Sequence, residues 1–278
     1  MANISNKIAD RLIAGVKRFQ PILAAAKTHD VSEADTMAIV RNMLAEVFGY
    51  DMFTEITAEH SIRGTYCDLA IRFDEKVQTL IEGKAIGHAL KDSHVTQAIG
   101  YAVNQGTEWV VLTNGLMWRI YRVVYTQPID KELVVEIDFC GINPKDKDHL
   151  SLLFLLTKEG WAKSALGDFH TQKQALSRFV LAATIISDPV VDIIRRELKR
   201  AFPEVKIDKE QMRKVILQDV LKRDVVEGEK ADDARKKMAK VQKTNHDKPE
   251  KETVDVPPAP PAQVSVPAPP PIPAAPQP

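Results

Sequence analysis

The chain has 278 residues, 44% of them hydrophobic, which is enough for one sizeable core with an appendage. Its 38 basic and 38 acidic residues cancel, which excludes a blanket cationic surface and leaves nucleic-acid contact to local basic patches. Two cysteines, Cys67 and Cys140, exclude a disulfide scaffold and a cysteine-rich metal site and read as reduced residues of a cytoplasmic protein.

The opening residues carry scattered charges and no long apolar h-region, so no secretory signal is expected. No uncharged apolar run approaches the about 20 residues of a membrane span, so no membrane partner is expected. Residues 1–29 read as an N-terminal helix with Ile8, Leu12, Ile13 and Val16 on one face, which Pro21 should kink or divide. A second helix opens at Ser32, a plausible N-cap, with Glu33 and Asp35 where negative charge suits the helix dipole. Its buried stripe is Ile39, Val40, Met43, Leu44 and Val47, and Gly49 stops it.

Strands follow. FTEITAEHSI, YCDLAIRF and VQTLIEGKAI are separated by short turns and read as an antiparallel meander. An amphipathic helix then runs to Gly106, and EWVVLTNGLMWRIYRVV reads as a hairpin turning at Asn114-Gly115, the type I′ dipeptide. ELVVEIDF adds a strand. The expected fold class is α/β (α+β), a mixed sheet flanked by helices over residues 30–140. A small helical subdomain over 141–224 follows, then a disordered tail over 225–278 that is charged to Thr253 and holds 11 of the 17 prolines beyond it.

The chemistry sits on the second and third strands. Asp68 lies in one, and Glu82 and Lys84 lie two apart in the next, on one strand face. Paired strands lie about 4.8 Å apart, so the two acids can approach each other. Buried carboxylates facing each other are costly unless something positive lies between them. Lys84 offers one charge. A divalent, oxygen-seeking ion such as Mg²⁺ (or Mn²⁺) would offer more and could activate a bound water. The bland alternative is a strand-end salt bridge of Lys84 with Glu82 or Asp68 and no metal.

In its wider setting this stretch resembles the PD-(D/E)XK nuclease superfamily, and more narrowly the N-terminal nuclease domain of type I restriction enzyme R subunits. The similarity rests on Asp68, on Glu82-Gly83-Lys84, on Gln97-Ala-Ile-Gly-Tyr101 one helix later, on Glu33 opening an upstream helix, and on the hairpin around Asn114. It covers about residues 30 to 125 and departs where Tyr66 and Cys67 replace the usual Pro before the acid. The resemblance implies a restriction-endonuclease-like fold and a Mg²⁺-dependent endonuclease acting on DNA in restriction, phage defence or repair. Asp68 and Glu82 would bind metal with the Gly83 carbonyl, and Lys84 would assist catalysis. Gln97 and Tyr101 would contact DNA or support the site, and Glu33 is a candidate third acid, with Glu46 its weaker rival. No G-x-x-x-x-G-K-[ST] motif occurs in these residues, so no translocating motor is expected alongside the cut.

His88 and His94 read as solvated residues near the motif, and Arg63, Lys91, Arg119 and Arg122 as the local basic patch. RNA as substrate and an oligomeric state both stay open. The alternative reading is a catalytically silent nucleic-acid-binding or scaffold protein on the same fold, recruiting a protein partner through its Pro-rich tail.

Overall fold

The computed structural model describes residues 4–62, 65–73 and 76–246. Arg63 and the Pro-rich segment with its docking role lie outside the described residues. The chain divides into two compact units, the first ending at Ser177 and the second starting at Arg178.

In the first unit, α1 (Asn6–Thr28) and α2 (Glu33–Glu46) precede β1 (Ile56–Ile62), β2 (Thr65–Phe73) and β3 (Lys76–Gly83). After α3 (Asp92–Gln105) come β4 (Trp109–Thr113), β5 (Met117–Val124) and β6 (Asp130–Asp138), then α4 (Lys147–Phe154), α5 (Lys158–Ala162) and α6 (Ala165–Ala175). The six strands form one sheet in sequential order. Every pairing is antiparallel except β3 with β4, which is parallel because α3 carries the chain back between them. The mixed α/β class is therefore as expected.

Each sheet face has its own core. On one, α1, α2 and the segment from Ile142 to Leu166 pack around Leu69, Ile81, Val111, Trp118 and Ile120. On the other, α3 packs on Ala70, Leu80, Val110 and Leu112 through Val95, Ala98, Tyr101 and Ala102. Leu12, Val16, Phe19 and Leu23 of α1 are wholly or almost wholly buried, each stabilising by about 1.5–3 kcal/mol.

Three expectations are corrected here. Neither 29/30 nor 140/141 is a boundary, because α1 and residues 142–166 share one core with the sheet. Of the kink or division expected at Pro21, the division does not occur: α1 runs through the proline with its apolar face seated on that core on both sides. The Asn114-Gly115 pair does not make a type I′ turn, which needs positive φ at both residues. Gly115 has φ +82°, whereas Asn114 has no positive φ and is held by its side chain. Its Nδ2 donates to the Ile86 and His88 carbonyls, and its Oδ1 accepts from Met117 N–H.

The second unit holds α7 (Arg178–Ile185), α8 (Asp188–Ala201), α9 (Lys209–Val215) leading into a π-helical turn (Ile216–Val220), α10 (Arg223–Val226) and α11 (Glu229–His246). The disordered tail expected from residue 225 is corrected up to His246. The charged stretch folds as α11 because Ala231 and Ala234, three apart, make a narrow buried stripe, and Met238 Sδ accepts from Thr184 of α7. Among the described residues no helix is long and apolar enough to cross a membrane.

Candidate functional site

β2 pairs with β3 in a register that sets Leu69 opposite Ile81. One step further along, the same register sets Asp68 opposite Glu82. The row continues through Leu112 and Arg119 to Glu136. Asp68 and Glu82 share the sheet face covered by α3, the face of their strand neighbours Ala70 and Leu80.

Gly83 is the hinge of this geometry. Its N–H donates to Asp68 Oδ2 at 2.7 Å, locking the acid of one strand onto the backbone of the next. A Cβ at Gly83 would lie 1.9 Å from Met37 Sδ, so any larger residue here would have to push the Met37 side chain of α2 aside. The Ser32 hydroxyl accepts from Asp35 N–H and starts α2 as expected. One turn in, Thr36 Oγ1 accepts from Ile86 N–H at 3.1 Å and donates to the Ser32 carbonyl at 2.8 Å. These bonds tie the first turn of α2, with Glu33, to the chain just beyond Lys84.

Lys84 joins the acids. Its Nζ donates to Glu82 Oε1 at 2.9 Å and to the Gly83 carbonyl at 2.6 Å, with Glu33 Oε2 at 3.8 Å. Glu82 is 4% exposed, and its Oε2 is buried without a hydrogen-bond partner. Burial, and then the charge of Asp68, push the Glu82 carboxyl above its ordinary value, against the pull of Lys84. Burial opposes charge on Lys84, yet its hydrogen bond to Glu82 and the fields of Glu82, Glu33 and Asp68 hold its pKa above the ordinary value. The neighbouring Cys67 thiol, buried and facing the same two acids, is pushed up to about 12 and is not a nucleophile.

A raised Glu82 makes stability pH-dependent. Below 4.5, the ordinary carboxylate value, Glu82 is protonated whether the chain is folded or not. As pH rises past 4.5 the unfolded chain ionises first, so the folded state loses stability until Glu82 itself ionises. Glu82→Gln removes this loss. The Tm difference between Glu82→Gln and wild type should therefore shift in favour of the variant between pH 4 and pH 7, as followed by circular dichroism melts.

The unpartnered Glu82 Oε2 bears on whether a divalent cation fits. Among the described residues no group of three His, Cys, Asp or Glu side chains could hold a metal by itself. Two acids and a backbone carbonyl suit Mg²⁺, which keeps several waters rather than filling an all-protein cage. Asp68, Glu82 and the Gly83 carbonyl would hold it, and Glu33 would stand behind Lys84.

The remaining candidates divide. Gln97 Nε2 donates to Tyr101 Oη at 2.6 Å, so the two form one unit on α3, Gln97 exposed and Tyr101 buried in the α3 core. Glu46 pairs with Arg18 and takes no part in the site. Arg119 is held by Glu136 and the Leu90 carbonyl, and Arg122 lies on the opposite sheet face, so they do not form one basic patch with Lys91. His94 is half-exposed, in keeping with a solvated residue near the motif. Its Nδ1 accepts from Lys91 N–H, and partial burial followed by the charges of Lys84 and Lys91 lowers its pKa, which keeps a neutral imidazole beside the site. Its place three residues after Lys91, at the start of α3, was the only signal for this. No family model, curated protein or solved structure matches the chain.

Proposed function

We propose that this protein is a Mg²⁺-dependent nuclease that hydrolyses phosphodiester bonds of DNA. The observation that carries the reading is the buried Glu82, with one oxygen unpartnered, set opposite Asp68 and bonded to Lys84. Such an arrangement holds negative charge in a dry place, where a hydrated dication would be stabilising. When bound, the ion would polarise the scissile phosphoryl group and lower the pKa of an attacking water. Asp68, fixed by Gly83 N–H, supplies an immobile carboxylate on one side. Lys84, kept protonated by three acids, donates to the charge that develops on the phosphoryl oxygens. Glu33 keeps Lys84 near its working position. The exposed Gln97 amide is placed to meet a nucleic-acid backbone approaching along α3.

The bonds from Lys84 to Glu82 and to the Gly83 carbonyl also support a second reading, a silent scaffold in which the ammonium closes the site permanently. Calorimetric titration with Mn²⁺ separates the two. The nuclease reading expects wild-type protein to bind the ion and Asp68→Asn to bind it about tenfold or more weakly. The amide keeps an acceptor for Gly83 N–H, so the fold is retained. Equal binding by both proteins would leave the scaffold reading. Parallel assays on duplex DNA, single-stranded DNA and RNA assign the substrate.

A further inference from the structure

On the sheet face opposite the acids lies a pocket of about 290 Å³, bounded by the starts of β3 and β4, the end of β5, and α5 and α6. Two of the three tryptophans, Trp109 and Trp161, line it, both half-buried, with ring centroids 6.4 Å apart and planes at 89°. Arg122 enters from β5. Its Nη1 lies 3.4 Å from His170 Nδ1. A guanidinium can only donate, so His170 Nδ1 accepts, and His170 Nε2–H therefore donates to Glu132 at 2.9 Å. Gln174 donates to the other oxygen of Glu132. Gln174 and Glu132 hold the His170 imidazole, which is 6% exposed, and the imidazole gives the guanidinium one long hydrogen bond. Arg122 makes no ion pair with a carboxylate among the described residues, so most of its donor fork remains for a ligand. Glu108 stands exposed at the mouth.

The geometry points to a binding site for a purine nucleoside monophosphate, apart from the acid cluster. A guanidinium with most of its donors free matches a phosphate with two parallel hydrogen bonds. Trp109 packs edge to face with Trp161 and with His170, and the exposed part of the two half-buried indoles is left to pack against one planar ring. Glu108 can accept from a ring amino group. A pocket of 290 Å³ sits at the small end of the range for ligand sites and suits a single nucleotide, not a strand. None of this uses Asp68, Glu82 or Lys84.

The pocket tryptophans supply the readout, because the third, Trp118, is fully buried elsewhere. Full-length protein is titrated with AMP and with GMP while tryptophan fluorescence is recorded. Saturable quenching is expected with at least one, and adenosine, guanosine and inorganic phosphate should each bind about tenfold or more weakly. Arg122→Gln should weaken nucleotide binding about tenfold or more, Arg122→Lys by less, and Trp161→Phe should keep binding with reduced quenching. Asp68→Asn should bind as wild type does, which separates this site from the nuclease reading. No saturable quenching with either nucleotide, nucleosides binding as tightly as nucleotides, or a folded Arg122→Gln or Arg122→Lys variant that shows no weakening at all would overturn the proposal.

Discussion

Lys84→Ala should reduce DNA cleavage by about 100-fold or more, the scale of losing a charge-stabilising donor at a reacting phosphate, and should also destabilise the fold by about 3 kcal/mol. Both effects have one cause. Lys84 is the counter-charge nearest to Glu82, whose second oxygen is already unpartnered. Without the ammonium, burial and Asp68 act on Glu82 unopposed, so its carboxyl takes up a proton more readily and becomes a poorer ligand for a cation. Glu33, half-exposed, loses its partner too but stays hydrated, so it adds little to the cost. Lys84→Arg should recover much of the stability and little of the activity, because a planar fork cannot reach both Glu82 and the Gly83 carbonyl as a compact ammonium does. Urea denaturation and initial cleavage rates with Mg²⁺ measure the two effects separately. Cleavage unchanged in Lys84→Ala would remove the lysine from the chemistry.

Trp118→Ala should cost about 3–5 kcal/mol, the range for deleting a large aromatic from a packed core. Trp118 is fully buried, meets Phe48 edge-on at 5.3 Å, and donates through Nε1 to the Gly115 carbonyl at 3.0 Å. The loss reaches the site through the hairpin. Gly115 follows Asn114, whose amide holds the Ile86 and His88 carbonyls just beyond Lys84. Loosening the turn therefore loosens the backbone that carries the lysine. The denaturation midpoint should fall, and Mn²⁺ affinity should weaken although no ligand is changed. Trp118→Phe keeps most of the ring packing and should cost less on both counts.

How far these features could be read from the residues varies with the physics behind them. The strands and their order were legible because period-two alternation and turn residues are local signals, and so was the Ser32 cap. Asp68, Glu82 and Lys84 were legible as one cluster, since antiparallel neighbours with a short turn have few registers that bury both apolar faces. Ownership of the helices was not legible. Leu150, Leu153 and Phe154 announce an apolar face without saying whose core it joins, so a boundary at 140 looked natural although the shared core runs on to Leu166. Composition misled at α11, where lysines and acids hide a stripe of two small alanines. Asn114 misled because its type I′ preference is a backbone propensity, and three side-chain hydrogen bonds outweigh it. The loss of Arg119 to Glu136 arises from a cross-strand pairing with the sixth strand, which no local pattern reveals.

The most direct test of a metal-dependent phosphodiesterase at Asp68, Glu82 and Lys84 is the fate of supercoiled plasmid incubated with the full-length protein. Nicked and linear products are expected in Mg²⁺ or Mn²⁺, and none in EDTA or with Asp68→Asn. Plasmid left intact by the wild type in every metal, or cut equally well in EDTA or by Asp68→Asn, would contradict it.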